Sequence, residues 1–560
     1  MVGKLEPMIR HSALDDLADR HFDTEALLSP IWMTSLGMDE CQDELDDLSP
    51  HGLNMHHALV LSTLTELETV PITDETDTVT ASALRERLGL ADQSHLTGAD
   101  LMDISNIASG LHSIREVFDL MPMETDGEWD TIARRLRAIP PAVDGWFESQ
   151  FAGIDMGIRP AVRQVDALVE QCEGWIKQGG FFDSLMDQAG EAEVSAVTRD
   201  RLASGISIAQ QAYSRAIETL RDTVRPLGVA EDGVGQARYE LASRSFLGTT
   251  VDFAETYQWG LDQVAELEAR QTEICAKLRP GLSVAETKKS LDEDPAYLLH
   301  GPEAMQAWMQ ARANEAITEL NGVDFDIPVP ALRIEAMIAP THDGGIYYTE
   351  PSDDFSRPGR MWWSVPEDQT SFSTWRELTT VYHEGVPGHH LQISAAVANK
   401  DALNKWRRSG IWVSGHGEGW ALYAEQLMAD LGYLSDPAMM LGMLDGQAMR
   451  AVRVVIDIGL HCGFTPPSEI GGNEWTFDKA LSYFNAHVAM DPSVARFEVL
   501  RYFGWPGQAP SYKIGQRVWT EIREEARRRE GPEFDLKSFH ARALNLGSLG
   551  LDTLRQALVG

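Results

Sequence analysis

Apolar residues recur at intervals of three and four from residue 10 to about 325, in segments such as HHALVLSTLTELETV and DISNIASGLHSIREVFDLM. That spacing lines one face of an α-helix. VTRDRLASGISIAQQAYSRAIETLRDTV and TYQWGLDQVAELEARQTEICAKL keep it longest and predict long antiparallel helices. Clusters of Pro, Gly and acidic residues at PITDETDT, AIPPAV, IKQGGFFDS and RPLGVAEDGVG predict breaks between helices. Between about 328 and 366 the pattern changes to short aromatic or β-branched runs bounded by Gly and Pro, VPALRIEAMIAP, GGIYYTEP and GRMWWSVP, which predict a few strands. Helical spacing returns near 373 and continues to the C-terminus, interrupted at GFTPPSE and GWPGQAP. No fixed-period repeat argues for a solenoid. The expectation is a mainly α protein with a small β-sheet beside one helix and a deep cleft. A helical portion, residues 1–325, forms one wall, and residues 326–560 carry the sheet and the remaining helices, the two making one continuous body.

Composition narrows the class. Hydrophobic residues make up 43% and charged residues 24% of the 560, enough apolar content to bury a core. A formal charge of −39 repels nucleic-acid phosphates and anionic lipid, so neither nucleic acid nor membrane is an expected partner. The N-terminal stretch MVGKLEPMIRHSALDDLADRHFD has acidic residues where a secretory signal has its apolar segment, and no apolar run is long enough to span a bilayer. Cys41, Cys172, Cys275 and Cys462 are far apart and form no CxxC pair. A cytoplasmic location is the expectation.

The candidate chemistry lies in VYHEGVPGHHLQ, residues 381–392. In the zinc motif H-E-x-x-H, two histidines four positions apart share one helical face and the glutamate reaches the water on the metal. Here His383 and Glu384 supply the first half, but Pro387 occupies the place of the second histidine. If Val386–Gly388 bulge out of the helix, His389 returns to register; if the helix stays regular, His390, seven positions on, faces the same way. The bulge, with His389, is the preferred reading. Downstream, GHGEGWALYAEQL offers Glu418 as a third ligand, leaving a position open for water as in catalytic sites. Glu425, seven residues on, shares its helical face and suits an acceptor that orients a ligating histidine. One Zn²⁺ ion is the expected cofactor.

The strings YHEGVPGHHLQ, EGWALYAEQL, RAVRVVIDIGLH and RYFGWPGQAPSYKIG, in that order, resemble the bacterial family called domain of unknown function 885. The resemblance implies a relation to the metallopeptidases of the H-E-x-x-H type. Separately, GEGWALYAE is similar to the N-E-G-F-A segment of zinc aminopeptidases, which implies a third-ligand role for Glu418. The Pro-Gly pair departs from that pattern.

Other residues extend the candidate site. Arg450, Arg453, Asp457 and His461 step by three, four and four along one helical face, either an internal ion-pair ladder or a cleft wall from which His461 meets the transition-state oxygen. Peptide hydrolysis needs a donor for that oxygen, and Tyr512 is the first choice, Tyr502 the second. Arg501 and Lys513 are candidates for a substrate carboxylate, and Tyr347 and Tyr348 for the border of a cleft that takes an extended peptide by strand addition. His416 is a weaker candidate for lining the site. The expected activity is zinc-dependent hydrolysis of short peptides, with Glu384 as general base. The competing expectations are hydrolysis of a non-peptide amide or ester, and a non-catalytic helical binding protein with a structural metal. Cleavage end and oligomeric state are not legible.

Overall fold

The computed structural model describes residues 11–192, 194–339, 345–366 and 369–560. The first ten residues, which bear on the question of a leader, lie outside that set, as do Pro340 and Gly344 of two expected strands.

Helix starts follow from capping chemistry. Ser12 with Asp15 and Thr125 with Glu128 each form a reciprocal capping box that satisfies otherwise orphaned N–H groups. Helix α1 (Asp126–Asp155) runs unbroken through Pro140 and Pro141, where AIPPAV predicts a break. Its apolar spacing continues across the prolines, burying Leu136, Ile139, Val143 and Trp146, and the helix packs along α2 (Ala196–Thr219); this packing outweighs the two lost N–H donors. The segment DISNIASGLHSIREVFDLM is helical only from Gly110, its first residues being an irregular connection.

Buried apolar side chains gather into two large clusters. One is built from buried residues between 104 and 224, with Ile31, Leu45 and Leu48 packed against it. The other joins Leu14–Leu88 of the first helices to residues 239–559. The second cluster runs across residue 325, including Leu320, Phe325 and Ile327.

Within the second core, α3 (Gln236–Leu247) and α4 (Phe253–Leu278) lead to two small sheets. Strand β1 (Leu298–His300) pairs antiparallel with a distant short strand, residues 371–373. The other sheet holds β2 (Ile334–Ile338), β3 (Ile346–Thr349) and β4 (Gly359–Trp363), with β4 in the middle, parallel to β2 and antiparallel to β3. The short strand Ser371–Ser373, here β5, runs directly into α5 (Thr374–Glu384), and α6 (His389–Ala398), α7 (Ser414–Asp430), α8 (Pro437–Cys462), α9 (Pro492–Gly504) and α10 (Ser511–Glu530) follow. Helix α8 is the central strut: every residue from Ala451 to His461 is buried, and it packs on α4 and α5. The architecture is mainly α, and no described helix is long and apolar enough to cross a membrane.

Candidate metal centre

Neither a bulge nor a regular helix connects the histidines: the chain stops α5 at Glu384 and starts α6 at His389. The Gly388 N–H bonds to the Tyr382 carbonyl at 3.0 Å, and the His390 N–H bonds to the Gly385 carbonyl at 3.1 Å, so the break satisfies its own backbone. A side chain at Gly388 would put its Cβ 1.9 Å from the His383 carbonyl oxygen, which only glycine avoids. The Val386–Pro387 peptide is cis, and Trp420 of α7 donates from Nε1 to the Pro387 carbonyl at 2.8 Å. The break is thereby tied to the helix that carries Glu418.

One ligand atom from each of His383, Glu384 and His389 lies within 4.8 Å of the others. Glu418 Oε2 is 3.3 Å from His383 Nε2 and 3.5 Å from His389 Nε2, yet it forms no hydrogen bond. These atoms approach one another at ion-pair distance without a hydrogen bond to that oxygen. A zinc ion held tetrahedrally by nitrogen and oxygen at about 2.0–2.1 Å puts its donor atoms roughly 3.3 Å apart, so the residues present fit such an ion. The electrostatics agree. Burial opposes charge on His383, but Glu418 and Glu425 raise its imidazole to about 10; burial also opposes charge on Glu418, but the two imidazoles hold its carboxyl below the usual range. Burial pushes the Glu384 carboxyl up. The cluster favours positive charge at its centre.

Glu425 sits behind His383. Its Oε1 accepts from His383 Nδ1 at 2.8 Å and its Oε2 from the Thr379 hydroxyl at 2.6 Å, which leaves Nε2 of the imidazole facing Glu418. Thr379 was not a candidate from the sequence, although its place one turn before His383 was a usable signal.

His390 is not placed to bind the same ion. Its Nε2 donates to the Ala331 carbonyl at 2.9 Å, and its Nδ1 accepts from the Tyr348 hydroxyl at 2.9 Å. Tyr348 is thus committed to His390 rather than bordering a peptide groove, while Tyr347 stacks on Trp362. Burial lowers the His390 imidazole to about 4 and keeps it neutral. His461 is likewise committed: Nε2 donates to the Tyr502 carbonyl at 2.8 Å and Nδ1 accepts from the Val234 N–H at 3.3 Å. It has no donor left for a transition-state oxygen. Asp457 accepts from Tyr239 at 2.6 Å and from the Gly507 N–H at 3.0 Å, and His416 turns to the backbone of Leu549. Tyr502, fully buried, donates to Glu498 at 2.7 Å and is also spent. Lys513 donates to Gln447 and Gln516 at 2.7 and 2.8 Å.

Tyr512 is different. Its hydroxyl forms no hydrogen bond among the described residues. Burial, then the Glu418 carboxylate, push its phenol up, while Arg501, Arg453 and Arg450 oppose them. The backbone approach of α7 and α10 brings Tyr512 to Glu418: a Cβ on Gly515 would lie 2.0 Å from the Gly415 carbonyl oxygen, and one on Gly419 2.6 Å from Gly515 Cα. The pattern G-H-G-E-G is therefore a helix contact as well as the segment that carries Glu418. Trp412, 51% exposed, stands with its ring 5.9 Å from that of His389 and was missed in the sequence, as was Glu498.

His383, Glu384 and His389 are buried among the helices that orient them. Cavities of about 470 Å³ and 270 Å³ lie elsewhere, the first between residues 75–82 and the C-terminal helix, the second against Lys513 and Trp259.

A sequence profile described as "Bacterial protein of unknown function (DUF885)" matches residues 30–558. The chain belongs to this family. No curated protein matches the DUF885 chain in sequence. Among solved structures it is similar to "the putative lipoprotein from Colwellia psychrerythraea", with a TM-score of 0.84 and 24% identity over 97% of this chain and 98% of that one. It is also similar to a "putative lipoprotein of unknown function from Shewanella oneidensis", with a TM-score of 0.73 and 17% identity over 98% of this chain and 100% of the other. At these identities the likeness establishes the shared fold of the DUF885 chain.

Proposed function

We propose that the protein is a metal-dependent hydrolase of short peptides, a metallopeptidase with one zinc ion held by His383, His389 and Glu418. The observation that carries the reading is the approach of two imidazole Nε2 atoms to one unbonded carboxylate oxygen, at 3.3 and 3.5 Å, inside a buried cluster. When bound, zinc would polarise the scissile carbonyl and lower the pKa of water. Glu384, buried beside both imidazoles, takes a proton from the attacking water and passes it to the departing amine. Glu425 and Thr379 hold His383 in one orientation, and Tyr512 supplies a hydroxyl donor to the developing oxyanion.

Elemental analysis with a peptide-library digest tests the reading. The expected result is about one equivalent of a divalent ion, with Glu384→Gln keeping the ion and losing turnover on the order of 10²–10⁴-fold. A purified protein that binds no divalent ion, or a variant with undiminished peptide cleavage, would sink it. Cleavage of other amides with no cleavage of peptides would transfer the same machinery to a non-peptide substrate.

The four free cysteines support a reducing, cytoplasmic setting, whereas the lipoprotein descriptions of the two structural neighbours support the cell envelope. Fractionation of native cells separates the two. The charge of −39 supports exclusion of nucleic acid and anionic membrane as partners.

A further inference from the structure

Three arginines surround Tyr512 in a chain that is otherwise strongly acidic. Arg453 of α8 lies with its guanidinium carbon 4.6 Å from the centre of the Tyr512 ring and donates from Nε to Glu498 Oε1 at 2.7 Å. Arg501 of α9 donates from Nη2 to the same oxygen at 3.2 Å. Arg450, one turn before Arg453, donates from Nη1 to the Gly446 carbonyl at 3.3 Å and has no ion pair among the described residues. Its charge acts on both Tyr512 and Glu384. Among the described residues Glu498 pairs with two of the three guanidiniums, Arg453 and Arg501, and it also accepts the Tyr502 hydroxyl. Each arginine keeps a buried N–H with no acceptor: Nε of Arg450, Nη1 of Arg453 and Nε of Arg501.

A structural ladder of ion pairs does not account for this arrangement. Arg453 and Arg501 are 7% and 8% exposed, so their spare donors are largely withdrawn from water. Of the other carboxylates in this region, Glu418 and Glu384 belong to the histidine cluster, and Asp457 is bonded to Tyr239 and the Gly507 N–H. An excess of guanidinium charge with unfilled donors calls for an anionic ligand, and the planar fork of arginine matches a carboxylate. Tyr512 links the two groups: Arg453 lies against its ring, and its helix α10 meets α7, the helix that carries Glu418, where Gly515 abuts Gly415.

We propose that Arg450, Arg453 and Arg501 bind the free C-terminal carboxylate of a peptide substrate, so that the protein removes residues from the C-terminal end. The inference rests on the peptidase reading above. In the step it specifies, water adds hydroxide to the carbonyl carbon, the C–N bond breaks, and the proton passes through Glu384 to the amine of the released C-terminal fragment.

The test compares three peptides of one sequence, with both termini free, with an acetylated N-terminus, and with an amidated C-terminus. The zinc-loaded protein is expected to cleave the first two similarly and the amide at least about tenfold more slowly in kcat/KM. Equal cleavage of acid and amide overturns the inference and leaves the peptidase reading standing. Calorimetry on the zinc-loaded Glu384→Gln protein gives a readout that does not need turnover. The free acid is expected to bind about tenfold more tightly than the amide, and Arg450→Met to reduce that ratio to threefold or less. Arg450 is chosen because it has no ion pair whose loss would threaten folding, and Arg501→Lys serves as the second variant. If no peptide is cleaved, the peptidase reading fails while the acid-to-amide binding ratio still decides the arginine site. A ratio near one, or one unchanged in both variants, overturns the proposal.

Discussion

Replacing Glu425 by glutamine isolates what a charge behind the proposed ligand His383 contributes. Glutamine has nearly the same shape, its oxygen can still accept from His383 Nδ1, and its amide can donate to the Thr379 hydroxyl. The change removes the negative charge that makes the 2.8 Å contact to the imidazole charge-assisted. A hydrogen bond to a charged group is worth about 1.5–3 kcal/mol and a neutral one about 0.5–1.5, so the variant loses roughly 1–2 kcal/mol of support for the ligating form of His383. Glu425 is only 1% exposed, and water cannot make up that loss. Zinc affinity should fall roughly 5- to 30-fold. Competition against a chromophoric chelator at fixed pH measures it, with a substitution at exposed Glu319 as control. A change below about twofold, or an equal change in the control, would refute the claim that Glu425 orients and charges the ligand.

Gly515→Ala should destabilise the protein by about 1–3 kcal/mol, because the new methyl meets the Gly415 carbonyl at 2.0 Å; urea unfolding measures this, and an unchanged midpoint would contradict the close helix contact. The same variant should lose more activity than zinc affinity, since it moves Tyr512 relative to Glu418. Asp457→Asn tests a buried proton: burial raises the Asp457 carboxyl to about 7, although Tyr239 and the Gly507 N–H lower it. The folded state therefore holds a proton that the unfolded chain releases above its ordinary value near 4. This group's stabilisation is full below about pH 4, is lost as pH rises toward 7, and spans about 4 kcal/mol at most. Urea unfolding between pH 5 and 8 should show the asparagine variant gaining stability relative to wild type as pH rises, and parallel curves would exclude a raised value.

The grouping of His383, Glu384 and His389 in space was legible because it depends on residues close in sequence. His383 and Glu384 are adjacent, and Glu418 and Glu425 share a helical face, so spacing alone places each pair. Pro387 and Gly388 marked the irregularity but not its form. Whether such a pair bulges a helix or ends it depends on who takes the freed backbone groups, and here Tyr382, Gly385 and Trp420 do. The same limit explains the misplaced roles. Periodicity puts His461 on a polar stripe, but Val234 and Tyr502, which occupy both its nitrogens, reach it only through the tertiary fold. His390 is consumed in the same way by Ala331 and Tyr348. The strands of the three-stranded sheet were visible in composition, while β1 and β5 were too short to stand out. The continuous helix through Pro140 and Pro141 was hidden because local breaker signals cannot weigh the packing of a whole face.

The second core also imposes an order on synthesis. Residues 104–224 supply the buried apolar side chains of one core, whereas Asp15 and Asp19 near the start receive hydrogen bonds from Asn404 and Lys405, more than 380 positions later. At about 5–20 residues per second, the opening helices emerge from the ribosome roughly 20 to 80 seconds before those partners exist. Through that interval the nascent chain must keep the apolar faces of Leu14, Leu17 and Phe22 from aggregating, which makes the earliest helices a natural client surface for chaperones.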